Sequence, residues 1–582
     1  MNEFVTPAAA SEGARPVDAR NNRQRAPGKP RSDVGTIVLH WATAIAVVVS
    51  LATGLRIGGD SPDSIVGKAL WSVLPQGEIW TWHFVAGLGL FFCASAYAIY
   101  MKRAGLLARI APARARVITL PAALRLRWNA LNVILHWVIY AVLAALTATG
   151  VALYAGFGGW IIPVHGLLAT GTLVYIGVHV FTHFMYGGLD QLLRLFKPTA
   201  LAKTKALRPR PFLVAIAVGV PVAAGAVAID LTTRDTLVVA RVASAPTLDG
   251  RLDEALWSAA KPVRVRTEQG STIGRPGHST VELRAIEDGQ KIYFAFRWED
   301  PTRSLMRLPL IKREDGWRML GHDADIADVT DFYEDKFAVM FTHSDAFGNG
   351  GSTHMGPNPL PGAPKPVHGR GYHYTTDGEY ADVWQWKASR GGMLGRVDDM
   401  YFGPPNAANE AMAAGKARYQ AGYDNDPGAG FYVYNYKGEA PGGYRGPVTV
   451  LKLPKDPAAT TRAMGALHLD VNKSNDEGSR WWMTEDEVVP YSKELDDKIP
   501  VGTVMPGVLI QGAYAGDRAD VLGAAAWKDG YWTLETSRAL QTGSRFDIAF
   551  TKDKPIYVYV SAFDHNQTRH TRHMRPVVLS LP

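Results

Sequence analysis

Residues Val34–Ile57 read VGTIVLHWATAIAVVVSLATGLRI. The run is apolar almost throughout, with one histidine, His40, and one arginine, Arg56, beside its end. A bilayer core takes about 20 helical residues to cross, so this stretch is long enough to span one. Four more runs have the same character: Trp80–Met101, Leu131–Tyr154, Pro163–Tyr186 and Phe212–Leu231. None holds a lysine or glutamate in its interior. The first follows a polar arm of more than thirty residues and is too long for the apolar core of a cleavable signal peptide. The first run also has an echo. Leu39-His40-Trp41 precedes Thr53-Gly54, and Leu135-His136-Trp137 precedes Thr149-Gly150, both with a His-to-Thr spacing of 13. Spans one and three therefore read as related halves of a duplicated helical hairpin.

Charge orients the spans. The arm before span one carries six basic residues, the loop after span two seven, and the segment after span four six. The alternate loops hold only Arg56 and Lys68. Basic loops stay in the cytoplasm, so the N-terminus is expected inside and everything after Leu231 outside, in a periplasm. Residues 1–231 hold 21 basic and 9 acidic side chains, and the remainder 41 and 45. Basic charge confined to the membrane part argues against a nucleic-acid partner. The lone cysteine, Cys93, excludes disulfide scaffolds, Cys-ligated zinc, iron–sulfur clusters and covalent haem attachment.

From about Pro246 the texture becomes strand-like: Lys291–Trp298, Lys336–Thr342, Phe431–Tyr436, Val448–Leu453, Tyr531–Thr536 and Ile556–Phe563, separated by Gly, Pro, Asp and Asn. The expected fold is thus a five-span all-α membrane bundle followed by a soluble, antiparallel all-β sandwich with long excursions at Gly348–Gly371 and Gly403–Gly430. The expected divisions are a basic cytoplasmic arm (1–33), a four-span core (34–200), a basic loop with the fifth span (201–231), a linker (232–245) and the sandwich (246–582). Glu485-Asp486-Glu487 reads as a solvated acidic turn. No phosphate loop and no nucleophile–base arrangement is legible.

Six histidines lie in the spans: His40, His83, His136, His165, His179 and His183. One membrane histidine can be a simple helix–helix hydrogen-bond donor. Six among so few polar residues point to ligation, because ionisable groups in spans are costly. His83 and His165 lie near the outer ends of their spans, the other four toward the inner side. His165 and His179 are 14 residues apart, about 21 Å along a helix and about 40° from eclipsed. One helix thus offers an imidazole to each leaflet, which suits two stacked haems bridged by histidines from two helices. His183, 18 residues from His165, falls about 27 Å away, close to the membrane edge.

These residues resemble the bacterial cytochrome b-561 and hydrogenase b-type cytochrome family, over roughly residues 33–200. The resemblance implies two b haems exchanging electrons with quinone. Carried over by position, the inner haem takes His40 and His179, and the outer haem His83 and His165. His136 and His183 are alternates, and His136 has a further possible place in a quinone pocket or beside a haem propionate.

The opening Pro246-Thr247-Leu248-Asp249-Gly250-Arg251-Leu252-Asp253-Glu254-Ala255-Leu256-Trp257 resembles carbohydrate-module and DOMON-like sandwiches. Further pieces are Glu334–Phe341, His354-Met355-Gly356, Ala381–Lys387, Trp527–Glu535 and Phe563–His570. This series resembles the haem-binding γ subunit of ethylbenzene dehydrogenase. That implies one more b haem, with a Met ligand, by position Met355, and a second ligand about ten residues before the C-terminus. That region has no lysine but has His570 and His573. Met355 and His570 are the expected pair, with His354 and His573 as rivals.

The reading is a cytoplasmic-membrane cytochrome that carries electrons between the quinone pool and a periplasmic redox protein or catalytic subunit. Its partners are lipid and quinone. Two other classes fit the residues. One is a reductase acting directly on a small periplasmic substrate, and the other a ligand sensor whose sandwich holds no haem.

Overall fold

Apolar runs this long can satisfy their backbone in a bilayer only as helices. A computed structural model of the chain describes residues 31–59, 65–70, 72–119, 123–197, 209–269, 278–321, 329, 331–345, 359–364, 371–437, 446–467, 469–568 and 570–582. Five long apolar helices lie in its first part: α1 (Val34–Gly58), α2 (Ile79–Arg103), α3 (Leu124–Tyr154), α4 (Ile161–Leu193) and α5 (Pro209–Thr232). Asp33 caps α1, accepting from the Thr36 backbone at 2.9 Å and from the Tyr100 hydroxyl. Gly35 lets α1 and α2 meet, since a Cβ there would lie 2.4 Å from Tyr100 Cζ. α3 begins seven residues before its apolar run, at Leu124, so Arg125 and Arg127 sit on its first turn. α4 breaks at Gly187 and Gly188, where Gly188 takes φ +64°. The apolar run ends at the same place, at Tyr186.

The hairpins α1–α2 and α3–α4 are the two halves of the sequence repeat, and α5 packs along α2. The repeated Trp anchors each half at the same level. Trp41 donates to the Leu195 carbonyl at 3.1 Å, and Trp137 to the Ile110 carbonyl at 2.9 Å.

The sheet-rich part uses thirteen principal strands. They are β1 (Thr236–Val238), β2 (Val263–Gln269), β3 (Ser279–Glu287), β4 (Lys291–Glu299), β5 (Lys336–Thr342), β6 (Ala381–Lys387), β7 (Asp398–Phe402), β8 (Tyr423–Asn425), β9 (Leu522–Lys528), β10 (Tyr531–Ala539), β11 (Ile556–Phe563), β12 (Thr571–Arg572) and β13 (Val577–Ser580). One sheet runs β1-β13-β11-β5-β6-β7-β8 and the other β9-β10-β4-β3-β2-β12. Their inner faces bury Phe294, Phe296, Trp298, Phe337, Phe341, Trp384, Trp386 and Trp532 in one core. Each such side chain contributes roughly 1.5–3 kcal/mol of burial.

The expectation of a wholly antiparallel sandwich holds except at the margins. β1 joins β13 in parallel, and the two-residue strand Ala240–Arg241, next along the chain as it leaves the helices, joins β3 in parallel. The β9–β10 hairpin turns on Asp529-Gly530, with φ +51° and +81°, the left-handed pair that a two-residue turn requires. The runs expected as strands at Phe431–Tyr436 and Val448–Leu453 break into short pieces of small separate sheets. Glu485–Glu487 forms a single 3-10 turn closed by a capping box with Thr484.

Candidate functional site

The repeated Thr-Gly pair explains how two membrane histidines are held. Thr53 on α1 bonds its own Val49 carbonyl at 2.7 Å and the His83 Nδ1 of α2 at 3.0 Å. Thr149 on α3 bonds Ala145 at 2.8 Å and the His165 Nδ1 of α4 at 2.8 Å. Each threonine gives its proton to the helix carbonyl, so its oxygen accepts Nδ1–H. That assigns the tautomer and leaves Nε2 with a free lone pair, the arrangement that orients a metal-binding imidazole. The following glycine makes room: a Cβ at Gly54 would lie 3.2 Å from His83 Cε1, and one at Gly150 3.5 Å from His165 Cε1. The two rings face each other with centroids 6.3 Å apart. Two imidazoles on opposite sides of one metal, at about 2 Å each, also place their centroids about 6 Å apart.

Toward the other end of the bundle, His136, His179 and His183 gather, each offering a nitrogen within 4.8 Å of the others. His40 lies within electrostatic reach of His136 and His179. His136 Nδ1 donates to the Asn132 carbonyl at 2.6 Å, and His179 Nδ1 meets the Tyr175 hydroxyl at 3.1 Å. Both leave Nε2 open. His183 differs: its Nδ1 faces the Gln191 amide nitrogen at 3.3 Å. That contact sets His183 apart from His136 and His179, whose Nδ1 atoms meet a carbonyl and a hydroxyl. Asn132 and Thr182 tie α3 to α4 beside this cluster at 2.6 Å. Arg194 lies within electrostatic reach of all four histidines, and its Nε has no hydrogen-bond partner among the described residues.

In the sandwich, strand alternation puts Lys336, Ala338 and Met340 of β5, Gln385 and Lys387 of β6, and Ser561 and Phe563 of β11 on the outer face of the first sheet. His570 lies half-buried against this face, with its ring 4.9 Å from Phe563 and Nδ1 donating to the Thr571 carbonyl at 2.8 Å. Burial, foremost, pushes its pKa down to about 3, so it is neutral near pH 7. His573 is buried and held down to about 4, but its ring is bound twice. Its Nδ1 accepts from the Val560 backbone at 3.3 Å, and it also bonds the Arg575 backbone. It is a structural histidine with no nitrogen to spare. Met355 and His354 lie outside the described residues. His373, two residues past that excursion, stacks on Phe402 of β7 at 4.8 Å and lies within electrostatic reach of His570.

A wall of buried cations adjoins His570, and sequence reasoning missed it. Lys336 Nζ donates to the Gln567 carbonyl at 2.7 Å and sits 4.0 Å from the Phe563 ring centroid. Burial, then repulsion from Arg390, Lys387 and Arg307, holds its pKa well below the usual lysine value. Arg390 pairs with Glu334, while Lys387 and Arg518 share Asp398. Among the described residues Arg307 meets tyrosines: the Tyr436 hydroxyl at 3.1 Å, and the Tyr333 and Tyr434 rings. Burial opposes ionisation of Tyr434, yet Arg390, Arg307 and Lys387 draw its pKa down to about 7. Among the described residues five basic side chains thus face two carboxylates, a setting that favours an added anion. Lysine and arginine spread between residues 307 and 518 give no local motif by which sequence could reveal it.

The sandwich rests on the end of the bundle nearer His83 and His165. Glu78 bonds Thr376, Arg572 lies 5.3 Å over Trp80, Arg266 lies 4.2 Å over Phe157, and Arg575 pairs with Asp230 at 3.0 Å. Trp80 is three residues from His83, and Arg572 two from His570.

A family model described as ethylbenzene dehydrogenase matches residues 254–575, more than half of the chain. One described as prokaryotic cytochrome b561 matches residues 31–198. No curated protein matches. Among solved structures, a carbohydrate binding module family 9 from Caldicellulosiruptor kristjanssonii is similar in two complexes. With glucose it shows 8% identity, covering 60% of this chain and 96% of that one, at a TM-score of 0.22. With cellotriose the values are 7%, 60%, 93% and 0.22. Scores that low carry no argument about ligand or fold.

Proposed function

The chain belongs to the ethylbenzene dehydrogenase family, joined in one polypeptide to a prokaryotic cytochrome b561 domain, and on that premise we propose that it passes electrons between the quinone pool of a bacterial inner membrane and a periplasmic redox partner. At the coarser level it is a multi-pass membrane b-type cytochrome of electron transfer. The finer reading takes residues 1–33 as a cytoplasmic arm, 34–200 as a diheme core, 201–231 as a tether, 232–245 as a linker and 246–582 as a periplasmic haem domain.

Haem, when bound, supplies a one-electron iron centre whose potential follows its axial ligands and surroundings. In the proposed assignment His83 and His165 hold the outer haem, with Thr53 and Thr149 fixing their tautomers. His40 and His179 hold the inner one. His136 stands beside it, and Arg194 is available to a propionate. His183, set apart by its Gln191 contact, is the alternate. In the sandwich, His570 and Met355 form the ligand pair, and Arg307, Lys336 and Arg390 receive the carboxylates. A thioether with an imidazole raises the potential above that of a bis-His site, which suits electrons moving outward. The basic loops support a cytoplasmic N-terminus.

One observation carries the reading: two threonine-oriented histidines, His83 and His165, face each other at the end of the bundle that bears the sandwich. The test is a haem count with reduced-minus-oxidised spectra on the full chain. Three noncovalent b haems are expected, one lost on His165→Ala and a different one on His570→Ala. A two-haem protein indifferent to His570→Ala overturns the sandwich haem. Failure of a quinol to reduce the haems in membranes overturns the quinone link.

A further inference from the structure

Four aspartates converge at the edge of the sandwich core, away from the histidines. Asp382 opens β6, and Asp399 on β7 lies opposite Trp384, so both carboxylates project to the inner face. Asp426 follows β8, and its backbone N–H donates to the Asp399 carbonyl at 3.1 Å. Asp547 comes from the loop between β10 and β11 and accepts from Thr542. Asp382 and Asp399 are 0% exposed and Asp426 is 2%. The Asp547 side chain is 3% exposed. Among the described residues one cation, Arg538 of β10, faces the group, paired with Asp382 and 3.7 Å from Asp547.

Arg538 and the Ile548 backbone both go to the same oxygen of Asp382. The other oxygen of Asp382, both of Asp399, both of Asp426 and one of Asp547 have no hydrogen-bond donor among the described residues. Buried polar atoms are nearly always satisfied, so six unsatisfied carboxylate oxygens at one spot mark something missing. A second acidic group in the same domain makes the contrast. Asp335 receives the Ser304 and His565 backbones and the Trp532 indole, and Asp564 pairs with His565. That cluster is served by protein donors, whereas six of the eight carboxylate oxygens around Asp399 have none among the described residues.

We propose that Asp382, Asp399 and Asp547 hold a structural calcium ion, with the Asp426 carboxylate beside them, and that this ion pins β6, β7 and the β10–β11 loop together. The donors are all hard oxygens, with no histidine or sulfur, which selects Ca2+ or Mg2+ over transition metals. One oxygen from each of Asp382, Asp399 and Asp547 lies within 4.8 Å of the others. Calcium bonds of about 2.4 Å allow oxygens up to about 4.8 Å apart in one sphere, and calcium accepts an all-protein cage that magnesium avoids. Four carboxylates against one guanidinium leave three negative charges for a divalent ion to offset. Burial, together with repulsion among these neighbours, pushes the Asp382, Asp399 and Asp426 carboxyls upward, which is the strain that an ion removes.

The experiment uses the full chain in detergent, stripped with EGTA and titrated with CaCl2 or MgCl2 by calorimetry and thermal unfolding. Expected are one bound Ca2+ per chain, a Tm that climbs by several degrees, and a much weaker response to Mg2+. Asp399→Asn should weaken calcium binding at least about tenfold, while Asp564→Asn leaves it intact. Terbium luminescence excited through Trp384 gives an independent reading on the wild-type chain if Asp399→Asn fails to fold. Absence of both calcium binding and a Tm response, or an equal response to Mg2+, overturns the proposal. So does an Asp399→Asn protein that is more stable in EGTA and binds calcium as before, which would mean that protons satisfy the cluster.

Discussion

Replacing Thr149 with valine removes one atom's worth of chemistry from the outer histidine pair. Valine keeps the volume, and the helix carbonyl at Ala145 loses only a redundant side-chain donor. What is lost is the 2.8 Å acceptor for His165 Nδ1–H. A hydrogen bond of this kind contributes about 1 kcal/mol net. It also makes the imidazole more basic and so favours oxidised iron. In a one-electron couple about 59 mV corresponds to a tenfold change, so about 1 kcal/mol is about 40 mV. The potential of the haem proposed between His83 and His165 should therefore rise by about 40 mV in Thr149→Val, read in a potentiometric titration of the full chain. Because the two halves repeat, Thr53→Val should raise the same haem by a similar amount through His83. Thr43→Val is the control, since that hydroxyl bonds its own Leu39 carbonyl and meets Cys93 rather than a histidine. Unchanged potentials in both variants at full haem content, or a shift confined to the inner haem, would refute the reasoning.

Other outcomes follow from the same contacts. Gly35→Leu drives a side chain into Tyr100 and should destabilise the α1–α2 hairpin by several kcal/mol, seen as a lower Tm in detergent. Gly530→Val at φ +81° should cost about 1–2 kcal/mol, measurable by denaturation, with haem content unchanged. His573 has its folded pKa depressed to about 4 from the usual 6.5. Its burial therefore stabilises the fold above pH 6.5, and this contribution declines as pH falls toward 4, by about 3 kcal/mol in full. His573→Gln should accordingly flatten the fall of Tm between pH 6.5 and 4 relative to wild type. Arg572→Ala removes the cation over Trp80 and should slow electron passage between membrane and sandwich without changing haem content, as stopped-flow reduction would report.

The membrane helices, the sandwich strands and the layering of the histidines were legible in the sequence, because each depends on local pattern. Length and apolarity alone demand a helix in a bilayer, alternation demands a strand, and Asp529-Gly530 writes its own turn. The repeat even contained the orienting threonines, although only the folded hairpins show that Thr53 serves His83 and Thr149 serves His165. Tertiary structure decided what pattern cannot carry. His570 and His573 are three residues apart and look alike in sequence, but the Val560 and Arg575 backbones occupy one and leave the other its Nε2. Gln191, eight residues downstream, takes the Nδ1 of His183 and so separates it from His179. The cation wall around Lys336 and the aspartates around Asp399 draw on strands far apart in the chain. Charge–charge free energy depends on distance and burial in space, and neither is encoded by separation along the sequence.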